Sequence, residues 1–245
     1  MSRNLLRRLL FPPKCVACGT LTDWYAVDCA LCPTCAKRWQ TAREETCGIC
    51  GERADRCLCV TEEMRAAKCA LFAKLCFYRP AERRQTQNRV VFYVKEHANA
   101  EAFAFLAREL VPALQRMLDT DPKAAYVLTY LPRTRAARLS IGHDQAERLA
   151  QALARETGIP FERLLVRCGG RAQKDLSRAG RIRNAKESFA MVRGADCNGR
   201  TVILIDDIVT TGAGMAAGAR LLRRAGARTV MALAVASDEV NREMT

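Results

Sequence analysis

Two adjacent acids, two threonines and a glycine follow an apolar run near the end of the chain. The run covers residues 201–205, Asp206 and Asp207 come next, and Thr210, Thr211 and Gly212 stand three residues later. Hydroxyls and backbone N–H groups at the start of a helix form a site for a phosphate dianion. Because phosphate alone does not favour carboxylates beside it, the acids indicate a sugar whose hydroxyls they bind, or a shared divalent cation. The alternative is a capped helix whose aspartates only face solvent.

Basic residues form a second candidate set. Arg133 follows a short apolar segment and is placed to contact an anion. Residues 161–200 contain ten lysines or arginines against four acids, and Gly169 and Gly170 would let a loop at 168–186 close over pyrophosphate. The same charges could hold a nucleic-acid backbone, or simply face solvent. The candidate contacts for pyrophosphate or nucleic acid are Arg167, Arg171, Lys174, Arg178, Arg181 and Arg183.

Paired cysteines dominate the start of the chain. Nine of the thirteen cysteines lie between residues 15 and 59, and eight of these form Cys-x-x-Cys or Cys-x-Cys pairs. A two-residue gap lets both thiolates face one tetrahedral Zn²⁺, so the pairs predict two structural sites without an open catalytic position. We favour grouping the first two pairs and the last two pairs; interleaved pairing, and cysteines that serve packing or redox chemistry, are the alternatives. The predicted metal ligands are Cys15, Cys18, Cys32, Cys35, Cys47, Cys50, Cys57 and Cys59.

Helices and strands alternate after about residue 66, and they must position these residues. Strands are predicted at 70–78, 125–131, 161–166, 187–192, 201–205 and 229–236, and helices at 101–118, 144–156 and 212–225. Asp144 is placed to cap the second of these helices. The alternation predicts an α/β fold with a mostly parallel sheet, whose carboxyl edge would carry the acid pair. We divide the chain into a small cysteine-rich module at 1–62 and an α/β domain at 66–245.

Charge and hydropathy narrow the class of protein. The formal net charge of +14 over 245 residues favours anionic partners such as nucleic acid or phosphorylated metabolites. The sequence has no secretory signal and no apolar run near the roughly 18 residues that a membrane span needs. We therefore expect a cytoplasmic protein without membrane insertion, whose clustered thiols stay reduced and bind metal.

The acid-pair segment resembles the type I phosphoribosyltransferases, whose signature is an apolar strand followed by Asp-Asp-x-x-Thr-Thr-Gly. The resemblance implies that the two acids bind the ribose hydroxyls of 5-phosphoribosyl-1-pyrophosphate (PRPP), and that the second acid aids departure of pyrophosphate. It also implies that the Thr-Thr-Gly turn binds the 5-phosphate and that Mg²⁺ is carried on the pyrophosphate. The candidate PRPP-binding residues are Asp206, Asp207, Ile208, Val209, Thr210, Thr211, Gly212 and Arg133, and the two acids are the candidate catalytic residues.

Cysteine knuckles ahead of such a domain resemble the ComF family, which includes competence-associated and GntX-like proteins. Nearly the whole chain takes part in this resemblance. It implies a double zinc ribbon before a type I phosphoribosyltransferase-like core, and a role in DNA uptake and natural transformation. The partners implied are incoming single-stranded DNA and the DNA-import machinery. The supporting positions are residues 9–19, Lys95, residues 142–145, Gln173, Leu176, Arg181, Asn184 and Phe189.

Three functions stay open at this level. The chain could bind PRPP with Mg²⁺ together with single-stranded DNA, transfer phosphoribose to a nucleobase or amine, or sense PRPP without turnover. His143 stands where the ComF family has an aromatic residue, and is either a packing residue or a base in the pocket. Cys15 belongs to a knuckle and not to a glutaminase domain, so release of ammonia from glutamine is not supported.

Overall fold

The computed structural model describes residues 12–22, 30–168 and 189–238. The helices are α1 (Pro33–Arg43), α2 (Glu62–Ala66), α3 (Thr86–Glu96), α4 (Ala100–Leu118), α5 (Arg135–Ile141), α6 (Gln145–Thr157) and α7 (Ala213–Arg224). The strands are β1 (Phe72–Ala73), β2 (Cys76–Tyr78), β3 (Tyr126–Tyr130), β4 (Leu165–Arg167), β5 (Phe189–Met191), β6 (Thr201–Val209) and β7 (Thr229–Asp238). Among these residues, no helix has both the length and the apolar character that a bilayer crossing requires.

A parallel sheet lies at the centre of the described structure. Its strand order is β1–β7–β6–β3, and β2 also pairs with β7. All four pairings are parallel. β6 and β7 are buried along almost their whole length, as expected for parallel strands covered on both faces. The predicted α/β fold with a mostly parallel sheet is confirmed.

Alternate side chains of the central strands pack into two apolar cores on opposite faces of the sheet. Ile203, Ile205 and Leu233 lie in a core shared with α3, α4 and α6, whereas Val202 and Leu204 lie in a core shared with α2 and α7. This follows from the two-residue repeat of a strand, in which neighbouring side chains point to opposite faces. Helices on both faces therefore hold β6 rigidly, and its carboxyl end with it.

The cysteine-rich region packs directly against the sheet domain. Trp39 on α1 is 3% exposed and donates from Nε1 to Glu109 Oε2 on α4 at 2.8 Å. Its ring lies 6.0 Å from that of Phe105. Arg43 pairs with both Glu109 and Asp55, so charged contacts also link the two regions. The cysteine-rich region thus shares buried side chains with α4 and is not suspended on a linker.

Several elements differ from the sequence predictions. The pattern predicts neither α3 nor α5: α3 is rich in β-branched and aromatic residues, which have low helix propensity, and α5 buries none of its side chains. The predicted strand at 161–166 is wrong in extent, because Phe161 makes a single bridge to Leu128 and β4 pairs antiparallel with β5 outside the main sheet. The predicted strand at 70–78 is split into β1 and β2.

Candidate functional site

The acid pair lies within β6 and not in a loop after it. The sequence pattern ends this strand at residue 205, but β7 continues to pair with it as far as Val209, which lies opposite Ser237. Only residues 210–212 separate the strand from the first residue of α7. The three-residue turn therefore places its backbone N–H groups at the positive end of a twelve-residue helix, where anions are stabilised.

Gly212 is required by the shape of this turn. Its φ of +78° lies in the left-handed region, which side chains other than glycine rarely adopt. A Cβ at this position would lie 2.2 Å from Thr61 Oγ1 and 3.2 Å from Met64 Cγ. The absence of a side chain at this position therefore allows α2 to pack closely against the turn. Thr211 Oγ1 accepts from the Ala213 N–H at 3.3 Å, and Thr210 is exposed.

Asp207 is buried and held by two cations. Its Oδ2 lies 3.1 Å from Arg133 Nη2 and 3.7 Å from Lys95 Nζ. Its Oδ1 accepts from the Ile208 N–H at 2.7 Å. Burial alone would raise the pKa of Asp207, but Lys95 and Arg133 outweigh it and lower the pKa below its usual value. Asp207 is therefore an ionised hydrogen-bond acceptor near neutral pH.

The pKa of Asp206 is shifted in the opposite direction from that of Asp207. Its Oδ1 accepts from the Asp207 N–H at 2.8 Å. Burial, and then the negative charge of Asp207, raise the pKa of Asp206 well above its usual value. Two neighbouring carboxyls whose pKa values are driven apart give one group that stays ionised and one that retains a proton to higher pH.

Residues 143–145 hold both cations of the site in place. The Asp144 carboxylate accepts from the Arg133 N–H at 2.9 Å and also caps α6, as the sequence predicts. Gln145 Nε2 donates to the Lys95 carbonyl at 2.8 Å. The His143 ring lies 3.0 Å from the Val94 carbonyl and is buried, which makes it a packing residue. These three consecutive residues thus position the end of α3 and the segment that carries Arg133.

Arg167 is the member of the predicted basic set that the structure describes. It lies at the end of β4, with its guanidinium 4.6 Å from the centroid of the Phe189 ring. Burial lowers its pKa, and the charge of Asp206 acts in the opposite direction. The other predicted basic contacts lie outside the described residues: Arg171, Lys174, Arg178, Arg181 and Arg183.

A cluster of arginines that the sequence patterns did not single out lies beside the segment that carries Arg133. A cavity of about 480 Å³ lies between α5 and α6. Glu147 at its rim pairs with one of its arginines. The spacing of basic residues along α5 and α6 is the sequence signal that could have revealed it. The arginines lining this cavity, called the arginine cavity below, are Arg135, Arg138, Arg148 and Arg163.

The eight predicted ligand cysteines come together in the two favoured groups. Within each group the Sγ atoms all lie within 4.8 Å of one another. Cys18 Sγ and Cys32 Sγ are 3.7 Å apart, close to the roughly 3.8 Å edge of a tetrahedron with Zn–S bonds of about 2.3 Å. Four thiolates with this spacing fit a structural Zn²⁺. The first group is Cys15, Cys18, Cys32 and Cys35, and the second is Cys47, Cys50, Cys57 and Cys59.

A buried lysine faces the second cysteine group. Lys74 is 2% exposed, and its Nζ lies 3.2 Å from Cys57 Sγ. It also lies 5.2 Å from the ring centroid of Phe72 and 5.4 Å from that of Phe77. No carboxylate among the described residues forms an ion pair with it, and the Cys57 sulfur accepts its hydrogen bond. No residue spacing in the sequence predicts this contact.

The region around the acid pair is similar to a known family of domains. Residues 144–244 match the family of the phosphoribosyl transferase domain. The match includes Asp206, Asp207, the turn and all of α7. The chain therefore carries a type I phosphoribosyltransferase-like domain, preceded by a cysteine-rich region with two groups able to bind metal.

Curated relatives match over short stretches. A ribose-phosphate pyrophosphokinase of Parasynechococcus marenigrum (strain WH8102) is 51% identical over 51 residues, which are 21% of this chain and 15% of that protein. An adenine phosphoribosyltransferase of Mycobacterium avium (strain 104) is 57% identical over 42 residues, 17% of this chain and 23% of that protein. The chain thus spans less than a quarter of the length of these two relatives.

Solved structures of low sequence identity are also similar. The adenine phosphoribosyltransferase of Leishmania tarentolae is 19% identical, with a TM-score of 0.36, over 62% of this chain and 77% of that chain. An allosteric regulatory enzyme of purine biosynthesis is 22% identical, with a TM-score of 0.38, over 60% of this chain and 30% of that chain.

Proposed function

We propose that the acid pair and the following turn bind PRPP with Mg²⁺, and that the domain transfers its phosphoribosyl group to a nitrogen nucleophile. The observation that carries this proposal is the acid pair Asp206 and Asp207, whose pKa values are driven apart and which lies six residues before the start of α7. Such an arrangement offers an ionised acceptor for ribose hydroxyls next to a helix N-terminus for the 5-phosphate. Names of the short-matching relatives, which refer to ribose phosphate and to phosphoribosyl transfer, support the same chemistry.

Arg133 and Lys95 are the cations that would meet the pyrophosphate. Both face Asp207 in the protein alone. Since both are already held there, a polyanion next to Asp207 would meet cations that need little reorganisation. Bound Mg²⁺ would neutralise charge on the pyrophosphate and so assist its departure.

Titration calorimetry of PRPP with Mg²⁺ tests this proposal. Wild type should bind, and Asp207→Asn should bind at least about tenfold more weakly, because a charge-assisted hydrogen bond is worth more than about 1.4 kcal/mol. Asp196→Asn is the matched control, since this exposed residue lies elsewhere and Asn keeps the acceptor for the Asn198 N–H. Absence of binding by wild type would overturn the proposal.

Turnover requires a second measurement. Release of pyrophosphate should follow when a nucleobase or amine acceptor is added to the PRPP complex. PRPP binding without pyrophosphate release for any acceptor would instead favour a sensor that has kept its pocket and lost transfer.

A second candidate function is the handling of single-stranded DNA during natural transformation, which the ComF resemblance implies. The net charge of +14 and the arginine cavity favour a polyanionic partner. Oligonucleotide binding should weaken steeply with salt, because each neutralised phosphate releases counterions. Arg138→Gln/Arg148→Gln should reduce the salt dependence, whereas the exposed control pair Arg65→Gln/Arg224→Gln should not. Transfer of the strand to import machinery and a cytoplasmic location belong to this same candidate.

We further propose that each cysteine group binds one structural Zn²⁺. Four thiolates leave no open coordination position, so the metal would stabilise the fold and take no part in transfer. Structural zinc in small sites contributes about 10–16 kcal/mol of apparent binding free energy, enough to fold a region with little core of its own. Metal analysis should give about two zinc ions per chain. The division into a double zinc ribbon at 1–62 and a transferase-like domain at 66–245 stays a prediction.

A further inference from the structure

The arginine cavity holds more positive than negative charge. Its lining has four arginines and two carboxylates. Glu147 pairs with Arg163, so these two charges neutralise each other. The Asp144 carboxylate is buried and accepts from the backbone N–H groups of Arg133 and Glu147. Neither carboxylate is therefore left to neutralise the three other arginines.

These three arginines, Arg135, Arg138 and Arg148, are exposed, and no carboxylate among the described residues forms an ion pair with any of them. They come from two elements, α5 and α6, that meet at the cavity. Like charges at one place repel each other, so an anion that bridges them would be stabilised there. Each guanidinium presents its N–H donors in a planar fork that fits phosphate oxygens. Three such forks around one cavity favour a ligand with several phosphate groups close together.

The cavity lies towards the outer side of the last strand of the sheet. β3 ends the strand order and pairs with β6 on its inner side. On its outer side Leu128 bridges to Phe161, which precedes the cavity residue Arg163 by two residues. Asp206 and Asp207 lie on β6, which is inside β3 in the sheet. A ligand in the arginine cavity would therefore occupy a site separate from the PRPP site.

The size and lining of the cavity fit a small molecule better than a nucleic-acid strand. Its volume of about 480 Å³ lies within the range of roughly 300–1,000 Å³ that is usual for small-ligand sites. Proteins that bind single strands use a groove with aromatic side chains on which bases stack. The ring of His143 in this lining is buried and packs edge-on against Phe103. Leu139, which is 74% exposed, adds apolar surface beside the charged groups.

We propose that the arginine cavity binds a compact polyphosphate, with Arg135, Arg138 and Arg148 donating to its phosphate oxygens. The site goes beyond the proposed transfer of a phosphoribosyl group and does not depend on it. The polyphosphate can come from two sources, an inorganic chain or the phosphate tail of a nucleoside triphosphate, whose ribose or base would contact Leu139.

Titration calorimetry of inorganic tripolyphosphate on the full chain, at low salt and without Mg²⁺, tests this site. Wild type should bind, and Arg138→Gln/Arg148→Gln should bind at least about tenfold more weakly, because two charge-assisted contacts are lost. Arg65→Gln/Arg224→Gln is the matched control, since it removes the same charge from exposed positions on α2 and α7, at the other face of the sheet. Circular dichroism establishes that each variant is folded. Absence of binding by wild type, or equal weakening by both double variants, would overturn the proposal.

A further variant separates the arginine cavity from the acid pair. Lys95 faces Asp207, so Lys95→Gln should weaken a polyphosphate that is bound beside the acid pair and should not weaken one bound in the arginine cavity. Weaker tripolyphosphate binding by Lys95→Gln, together with unchanged binding by Arg138→Gln/Arg148→Gln, would place the anion at the acid pair and contradict the proposal.

Parallel titrations identify the source of the phosphate groups. Tighter binding of ATP than of tripolyphosphate would assign the cavity to a nucleotide, and Leu139→Ser should then reduce the difference. Equal or weaker binding of ATP would assign it to an inorganic chain. Displacement of tripolyphosphate by an oligonucleotide without terminal phosphates, at equal phosphate concentration, would instead assign the cavity to a nucleic-acid strand and overturn the proposal.

Discussion

Arg133 Nη2 lies 3.1 Å from Asp207 Oδ2, so a cation assigned to ligand binding is already paired inside the protein. The backbone N–H of the same arginine is held by Asp144 at 2.9 Å. The backbone and the guanidinium of Arg133 are therefore both held in place before any ligand binds. Fixed charges of this kind need little reorganisation when a charged ligand binds, and this lowers the cost of binding.

The raised pKa of Asp206 predicts a pH dependence of stability. Unfolded Asp206 ionises above about pH 4, while the folded residue keeps its proton to higher pH. Between these two pKa values the folded state binds more protons than the unfolded state, so the free energy of unfolding falls as pH rises. Asp206→Asn cannot ionise and should gain stability relative to wild type across this window. Urea denaturation from pH 4 to pH 8 measures the difference.

The lowered pKa of Asp207 makes stability depend on pH in the opposite direction. Its contribution to stability is complete above about pH 4 and is lost as pH falls through its folded value. Below about pH 4 the stability of both wild type and Asp206→Asn should therefore fall, because both proteins lose the charge of Asp207 there. Parallel stability curves for wild type and Asp206→Asn over the whole range would contradict the assignment of the proton to Asp206.

Gln145 is predicted to act through Lys95. Gln145→Leu removes the hydrogen bond to the Lys95 carbonyl. The end of α3 then loses a restraint, while the charge of the Lys95 side chain is kept. One lost hydrogen bond of about 1 kcal/mol corresponds to roughly fivefold weaker PRPP binding. Gln115→Leu on the exposed side of α4 should leave PRPP binding unchanged. A fall in thermal stability of Gln145→Leu with unchanged PRPP affinity would assign Gln145 a purely structural role.

The acid pair, the turn at 210–212 and the two cysteine groups could be recognised from the sequence because each depends on local spacing. Lys95 was noted there only through a family resemblance, since its contact with Asp207 joins positions more than 100 residues apart. Helix α3, which carries it, was missed because its β-branched and aromatic residues resemble a strand. The contact of Lys74 was missed for the same reason as that of Lys95, because Cys57 lies 17 residues away in another part of the chain.

Lys74 is predicted to stabilise the second zinc site electrostatically. Lys74→Met keeps much of the buried volume but removes the charge 3.2 Å from Cys57 Sγ. Changes in groups that contact metal ligands typically cost about 10–100-fold in metal affinity. Zinc release to a chelator should therefore accelerate for one of two zinc ions per chain, and Lys74→Arg should retain part of the affinity. The first cysteine group is the internal control, and equal acceleration at both sites would contradict the prediction.

The packing of Thr61 against Gly212 predicts a large cost for a side chain in the turn. Gly212→Ala should destabilise the protein by at least about 3 kcal/mol, because backbone strain adds to a clash 2.2 Å from Thr61 Oγ1. Gly194→Ala is the matched control, with the same φ of +78° and no atom within 4 Å, and should cost about 1 kcal/mol. Chemical denaturation measures both. Equal destabilisation by the two variants would show that Thr61 moves away from the new methyl group at no cost in free energy.

The contact between Thr61 and Gly212 would also couple metal binding at the second cysteine group to ligand binding at the turn. Thr61 follows the last cysteine of the second group by two residues, and it caps α2 by accepting from the Met64 N–H. Removal of zinc from that group would free the segment that supports the glycine of the ligand turn. Thermodynamic reciprocity then requires that a ligand bound at the turn tighten zinc to the same degree that zinc tightens the ligand. With zinc bound at the second cysteine group, the metal content of the chain would then help to set its affinity for the proposed ligand.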